Sequence, residues 1–419
     1  MMMSFIMATL MAMPVQAQDV IEGEVVEPQD DTEVIDSTML DSLAADTLKL
    51  PWPESVQVGI GKLLESKMFE TSQVGIMVWD MDADSCIYKH NERQLMRPAS
   101  TMKLLTAITA LDKLGGSYQF KTQLKYTGTI EDGVLTGDVY CVGGMDPRFN
   151  SDDLTAFVNS LKDMGVDTIR GNVYADRSMK DAALLGEGWC WDDDNPVLSP
   201  LVFSRKDIFM DRFLAKLKDA GIEYEEMYAS TKTCPANAFT ICTRFHTMDQ
   251  VLHKMMKESD NLYAECMYYQ IAASTSNRPA SAKSARNVER QLIHKLGLDA
   301  SRYRLADGSG LSLYNYLSAE LEVMMLRYAF RNDNIKQHLI HSLPIAGVDG
   351  TLKKRMKSGS VHGNVKAKTG TLTGIISLAG YCTAANGHEL CFSIINNGIM
   401  HGSNARHFAD KVCNLLCQP

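Results

Sequence analysis

Ser100 and Lys103 stand one helical turn apart in the stretch RPASTMKLLTAITALDKLGG, at the head of a pattern that is otherwise apolar. A serine and a lysine at this spacing share one face of a helix. There a neutral lysine amine can take the hydroxyl proton as the serine oxygen attacks a carbonyl carbon. Ser-x-x-Lys arises readily by chance, but Ser100 is the only serine in the chain with a lysine three residues later. Two further groups follow in chain order. KESDNLYAE supplies Ser259-Asp260-Asn261, whose hydroxyl and amide, two residues apart, can project to the same side. VKAKTGTL supplies Lys368-Thr369-Gly370 on a strand pattern, where a glycine lets a substrate backbone approach closely. Taken singly, each has an ordinary explanation: an N-capping serine, polar residues on a helix surface, a solvated strand lysine. The three in this order point to one site for acyl transfer.

The elements that must position these residues can be read around them. QVGIMVWDMD, a turn at Ala83-Asp84 and SCIYKHN form an opening strand pair. From Thr101 to Leu114 the pattern is helical, with Leu104, Leu105, Ile108 and Leu111 on one stripe. Between about Gln119 and Phe245 short strand-like runs alternate with Gly and Asp, and a helix falls near LTAFVNSLKDMG. After His246 the segment MDQVLHKMMKESDNLYAECMYYQIA is helical, and the end alternates HGNVKAKTGTL, GIISLAGYC and LCFSIINNG before a last helix, NARHFADKVCNLLC. Helices around late antiparallel strands predict an α+β fold rather than a βαβ repeat.

The chain has 419 residues, 45% hydrophobic and 22% charged, enough for two or three globular domains. Its net charge of -9 reflects the segment from Asp19 to Asp46, which is rich in Asp and Glu and has no Lys or Arg. The remainder is close to neutral, which argues against a nucleic-acid partner. Residues 18–48 read as a solvated acidic tether. Residues 1–17, MMMSFIMATLMAMPVQA, carry an apolar run and end on Val15-Gln16-Ala17, the small-residue spacing of an export-signal cleavage site. A short membrane anchor or core helix is the other reading, although the run is shorter than a bilayer span. No later segment is long and apolar enough to span one, and no cysteine precedes Cys86 to carry a lipid anchor near that site.

The 10 cysteines include no Cys-x-x-Cys pair and no zinc-like spacing with His, so no metal or organic cofactor is implied. In YCTAANGHELCFSI the Asn386-Gly387 pair is a two-residue hairpin signal that would set Cys382 opposite Cys391. Either a cross-strand disulfide or two buried free thiols would satisfy that arrangement. Cys413 and Cys417 share one face of the final helix, as core residues do.

The three groups resemble the motifs of the penicillin-recognising serine acyltransferases: Ser-x-x-Lys, Ser-x-Asn and Lys-Thr-Gly. More narrowly, the chain resembles the D-alanyl-D-alanine carboxypeptidase/endopeptidase group of low-molecular-mass class C, penicillin-binding protein 4 type. The stretches that carry this are RPASTMKLLT, GGMDP, GEGWCWDDD, ESDNLYAE, LADGSGLS, LPIAGVDGTL and GNVKAKTGTLTGIISLAGY. The resemblance implies a catalytic domain over residues 49–118 and 246–419, with one inserted domain over 119–245. It implies that Ser100 forms the acyl-enzyme, Lys103 acts as base, Ser259 relays a proton to the leaving amine, and Asn261 binds Lys103 and the substrate amide. Lys368 and Thr369 would hold the substrate carboxylate, and the backbone N–H groups of Ser100 and Thr371 would form the oxyanion hole beside Gly370. Asp176 falls where the family has an acidic residue that reaches the amino end of the stem's diamino acid, and a turn-stabilising role is the alternative. The DGSGLS stretch from Asp307 to Ser312 is expected to shape the cleft wall, with Gly308 and Gly310 serving a tight loop. The implied activity is periplasmic cleavage of D-Ala-D-Ala termini and cross-links in peptidoglycan stem peptides, with covalent inhibition by β-lactams. A serine β-lactamase and a non-hydrolysing penicillin-binding sensor are the rival readings.

Overall fold

The computed structural model describes residues 50–190, 195–224, 231–275 and 278–418. The expected export signal and tether, residues 1–17 and 18–48, lie outside the described residues, as does part of GEGWCWDDD. The chain opens with α1 (Glu54–Leu63), β1 (Gln73–Asp80) and β2 (Ser85–His90). β1 ends before its apolar run does because Asp80 Oδ1 accepts the N–H groups of Asp82 and Ala83 at 2.9 and 2.8 Å, which folds the chain into the turn.

Next comes α2 (Met102–Leu114), in which every residue from Met102 to Leu111 is buried. The leucine stripe seen in the sequence therefore understates this helix. It is enclosed on all sides, as a helix apolar all round must be, and Lys103 is enclosed with it.

Residues 119–247 then build β3 (Gln119–Tyr126), β4 (Thr129–Glu131), β5 (Val134–Thr136), β6 (Val139–Val142), α3 (Ser151–Asp163), β7 (Thr168–Arg170), β8 (Val173–Asp176), α4 (Phe209–Asp219), β9 (Glu223–Tyr224) and β10 (Phe239–Thr247). The strands form two four-stranded sheets, ordered β10-β3-β6-β8 and β4-β5-β7-β9. Leu135, Phe157, Ile169 and Phe213 belong to a core that draws only on this segment. Phe120, Met145, Leu198 and Val202 instead join the core around α2.

The rest supplies α5 (Met248–Lys257), α6 (Asn261–Ala273), α7 (Ala282–Lys295), α8 (Ala319–Arg331), α9 (Asp333–Ser342), β11 (Lys366–Leu372), β12 (Ile375–Thr383), β13 (Glu389–Asn397) and α10 (Gly402–Cys417). The helical run expected after His246 is thus cut between α5 and α6, where Ser259 takes φ 62° and the Asp260 carboxylate caps α6 through the Tyr263 N–H. Five antiparallel strands, ordered β11-β12-β13-β1-β2, make the central sheet. Alternate residues of β13 face opposite ways: Leu390, Phe392 and Ile394 pack with Phe408 and Val412 of α10, whereas Cys391 turns to the core around α2. Helices over a mainly antiparallel sheet make this an α+β protein. Among the described residues no helix is long and apolar enough to cross a membrane.

The β12–β13 hairpin corrects the cysteine pairing. Thr383 pairs with Glu389, so Cys382 stands opposite Leu390 and Cys391 opposite Tyr381. Asn386 and Gly387 belong to a three-residue loop with Ala385, closed by Ala384 N–H donating to the His388 carbonyl at 2.8 Å. Only Gly387 takes positive φ, at 84°, while Asn386 Oδ1 accepts from the His388 N–H. A two-residue Asn-Gly loop of type I′ would need both central residues at positive φ. The one-residue change of register sends the two thiols to opposite faces. Cys382 meets Cys417 instead, and both remain free thiols.

Candidate active site

Ser100 sits in a 3-10 turn, Ala99–Thr101, that runs into α2. Ala99 is held at φ 50°, a left-handed conformation that costs a non-glycine residue on the order of 1–3 kcal/mol. The neighbouring loop leaves no slack, since a Cβ on Gly310 would lie 1.9 Å from the Ala99 carbonyl oxygen. The half-buried Ser100 hydroxyl is thereby fixed above the first turn of α2.

Beneath it lies the fully buried Lys103 ammonium. Nζ donates to Ser100 Oγ at 2.9 Å, Asn261 Oδ1 at 2.7 Å and the Ser309 carbonyl at 2.8 Å. Three partners use all three N–H bonds of an ammonium. The Asn261 and Ser309 oxygens can only accept, whereas the Ser100 hydroxyl can also donate. A neutral Lys103 amine therefore keeps two of these bonds and reverses the third, which makes it a base for Ser100. Burial pushes Lys103 down to about 8, against the opposing pull of Asp307, Asp260 and Glu265.

A second buried amine closes the other side. Lys368 Nζ donates to Ser259 Oγ and to the Thr369 carbonyl, both at 2.8 Å. Burial first, and then the charge of Lys103, push Lys368 well below the ordinary lysine range. Thr369 Oγ1 donates to Thr351 Oγ1 at 2.7 Å, and Thr371 is exposed at the end of β11. Gly370 serves the fold in a way its sequence context does not announce. A Cβ there would lie 2.0 Å from Ser377 Oγ, 2.7 Å from the Pro98 carbonyl oxygen and 3.1 Å from Ser100 N. The close approach it permits is thus between β11 and the protein's own Ser100 turn, rather than one shown for a substrate.

All three sequence motifs meet here, and Asp176 does not join them. At the end of β8 its Oδ1 accepts from the Ser178 N–H at 2.9 Å and its Oδ2 from the Cys234 N–H at 2.8 Å. Buried with both oxygens engaged, Asp176 makes the turn-stabilising contacts of its alternative reading.

Other residues hold the site that sequence spacing alone could not reveal. Asp307 Oδ1 accepts from Gly310 N–H and Asn315 Nδ2, and its Oδ2 from Ser312 N–H and Trp189 Nε1. The DGSGLS loop is folded around this one buried carboxylate, and Trp189 brings the 119–247 segment onto it. The same segment supplies Arg205, whose Nη1 lies 2.9 Å from the buried Asp260 Oδ2. Asp260→Ala is expected to cost about 1–2 kcal/mol through the lost N-cap, read as a lower urea midpoint at unchanged slope. Asp260→Asn, which can still cap, should retain most of that stability.

The model of the D-Ala-D-Ala carboxypeptidase 3 (S13) family matches residues 56–203 and 198–418. D-alanyl-D-alanine carboxypeptidase DacB of Haemophilus influenzae is 26% identical over 423 residues, covering 81% of this chain and 88% of that protein. The D-alanyl-D-alanine carboxypeptidase of an Actinomadura species is 27% identical over 437 residues, covering 81% and 80%. The crystal structure of penicillin binding protein 4 (dacB) from Haemophilus influenzae shares the fold, with a TM-score of 0.77 and 24% identity over 85% of this chain and 97% of that one. The same protein complexed with a novel β-lactam gives a TM-score of 0.73 and 26% identity over 86% and 99%. The chain belongs to the D-Ala-D-Ala carboxypeptidase 3 (S13) family.

Proposed function

We propose that Ser100 is the nucleophile of an exported, periplasmic serine D-Ala-D-Ala carboxypeptidase that also cleaves peptidoglycan cross-links, acting as an endopeptidase. The observation that carries this is the buried Lys103 amine, whose one reversible partner is the Ser100 hydroxyl. Ser100 Oγ attacks the carbonyl carbon of the penultimate D-Ala and its proton passes to Lys103 Nζ. The tetrahedral oxyanion is held by the N–H groups of Ser100 and Thr371, a stabilisation of about 3 kcal/mol per donor in comparable sites. The C–N bond then breaks. Lys103 gives its proton back through the Ser259 hydroxyl, which takes it up as it hands its own to the departing amine; that amine is D-Ala in the carboxypeptidase reaction and the cross-linking amine in the endopeptidase reaction. Water hydrolyses the Ser100 ester by the reverse proton path.

Asn261 keeps Lys103 in place and binds the substrate amide. Lys368, with Thr369, takes the substrate carboxylate, and the arriving anion raises the affinity of Lys368 for a proton, so the amine becomes charged as it is needed. Residues 49–118 and 246–419 form the catalytic domain and 119–245 an inserted one that braces it through Arg205 and Trp189. β-Lactams acylate the same oxygen. The contacts of Asp176 support a structural role for it, and each of its oxygens keeps a further lone pair with which it would meet the amino end of the stem's diamino acid.

The test is release of D-Ala from a peptide ending in D-Ala-D-Ala. Wild-type protein should release it and Ser100→Ala should not. A cross-linked muropeptide dimer in the same assay should fall to monomers. Equal release by Ser100→Ala would overturn the assignment.

A further inference from the structure

Behind Lys103 lies a carboxyl group that the reaction scheme above does not use. Glu265, in the second turn of α6, is 1% exposed, and its Oε1 accepts two backbone N–H groups, Gly308 at 3.0 Å and Ser309 at 2.8 Å. The carbonyl of that same Ser309 is one of the three acceptors of Lys103 Nζ. The preceding carbonyl, that of Gly308, accepts from Thr106 Oγ1 of α2 at 2.7 Å. Two consecutive residues are therefore held at both ends, by Glu265 at their N–H groups and by α2 at their carbonyls. No slack is available nearby, because a Cβ on Gly308 would lie 2.6 Å from Tyr268 Cβ.

We propose that Glu265 is a positioning residue for acylation: by gripping the N–H groups of Gly308 and Ser309 it aims the Ser309 carbonyl at Lys103, and so aims the lone pair of Lys103 at Ser100. The proposal rests on the role assigned to Lys103 above. A lysine amine turns freely about its carbon–nitrogen bond, so the direction of its lone pair is set by its acceptors. Asn261 supplies one from α6 and Ser309 supplies the other from the 307–312 loop. With the Ser309 carbonyl displaced, a neutral Lys103 can rotate its lone pair off the hydroxyl, and a misplacement of about 1 Å at such a site costs on the order of 100-fold in rate. Burial and the nearby Asp307 carboxylate push Glu265 up to about 8. A carboxylate and a carboxylic acid alike keep an oxygen that accepts. The grip therefore requires the oxygen at that place and not its charge.

Three variants of the full chain test this, each checked for cooperative unfolding and then mixed with a chromogenic cephalosporin to measure the second-order acylation rate against pH. Glu265→Gln keeps the accepting oxygen and should acylate within about 3-fold of wild type. Glu265→Asp withdraws the oxygen and Glu265→Ala removes it, and each should slow acylation by about 30- to 100-fold across the whole pH range while the folded protein persists. Should Glu265→Ala fail to fold, the Gln and Asp pair still decides. Wild-type rates in folded Glu265→Asp, or an equal loss in Glu265→Gln and Glu265→Asp, would overturn the proposal. Ser100→Ala runs alongside: if wild type itself forms no Ser100 adduct, it is the assignment of the nucleophile that fails.

Discussion

Lys103→Met should slow acylation of Ser100 by about 100- to 10,000-fold, the contribution a positioned general base makes. Methionine fills much the same volume with no proton acceptor of use, so the Ser100 hydroxyl keeps its place and loses the group that takes its proton. The pH profile carries the same claim without a substitution. Because burial lowers Lys103 to about 8, the neutral amine is a minor species at pH 6 and the major one at pH 9. The second-order acylation rate of wild type should therefore climb about tenfold per pH unit up to about pH 7.5 and level off above about pH 8.5. Stopped-flow mixing with a chromogenic cephalosporin over that range measures both. A flat profile, or a Lys103→Met protein that acylates within a few-fold of wild type, would assign the proton to another acceptor.

Gly370→Ala carries the second large effect. The added methyl would have to displace Ser377 Oγ, 2.0 Å away, and also clear the Pro98 carbonyl oxygen at 2.7 Å. The hydroxyl can rotate; the backbone oxygen cannot. β11 must then move away from the Ser100 turn, and with it the Lys368 amine and the Thr371 N–H. A loss of about 100-fold in acylation rate is expected, with a lower melting temperature as the sheet edge separates from α2. Ser377→Ala paired with Gly370→Ala removes only the nearer clash and should recover stability in part and rate hardly at all. Full activity in Gly370→Ala would show that β11 approaches Ser100 less closely than these distances require.

What the sequence made legible is what short spacing encodes. Ser100 and Lys103 are separated by one helical turn, so their proximity follows from local geometry. The same holds for Ser259 and Asn261 across the cap of α6, and for the consecutive residues of β11. The meeting of these three motifs is not local, and the order of the motifs along the chain stood in for it. Where a contact joins distant residues of ordinary type, nothing in the sequence marks it. Glu265 reads as one more polar residue on an apolar helix, and Asp307 as the first residue of a turn. Arg205 reads as a charged residue in a loop, yet each of the three reaches across the chain to fix a motif residue or its neighbour. Asp176 shows the same from the other side: its place after a strand announced a turn or a binding role, and nothing in the sequence announced the bond its second oxygen accepts from the distant Cys234 N–H. The Asn386-Gly387 pair misled by a single residue, since one positive-φ glycine serves a three-residue loop as well as a two-residue one. That shift sufficed to turn Cys382 toward Cys417 and away from Cys391.

The central claim is that Ser100 is the acylated residue, and the mass of the intact protein after incubation with a penicillin, followed by peptide mapping, tests it most directly. One penicilloyl adduct per chain is expected, located on the peptide that contains Ser100, slow to clear, and missing from Ser100→Ala. An adduct on any other residue, or one formed equally by Ser100→Ala, would contradict it.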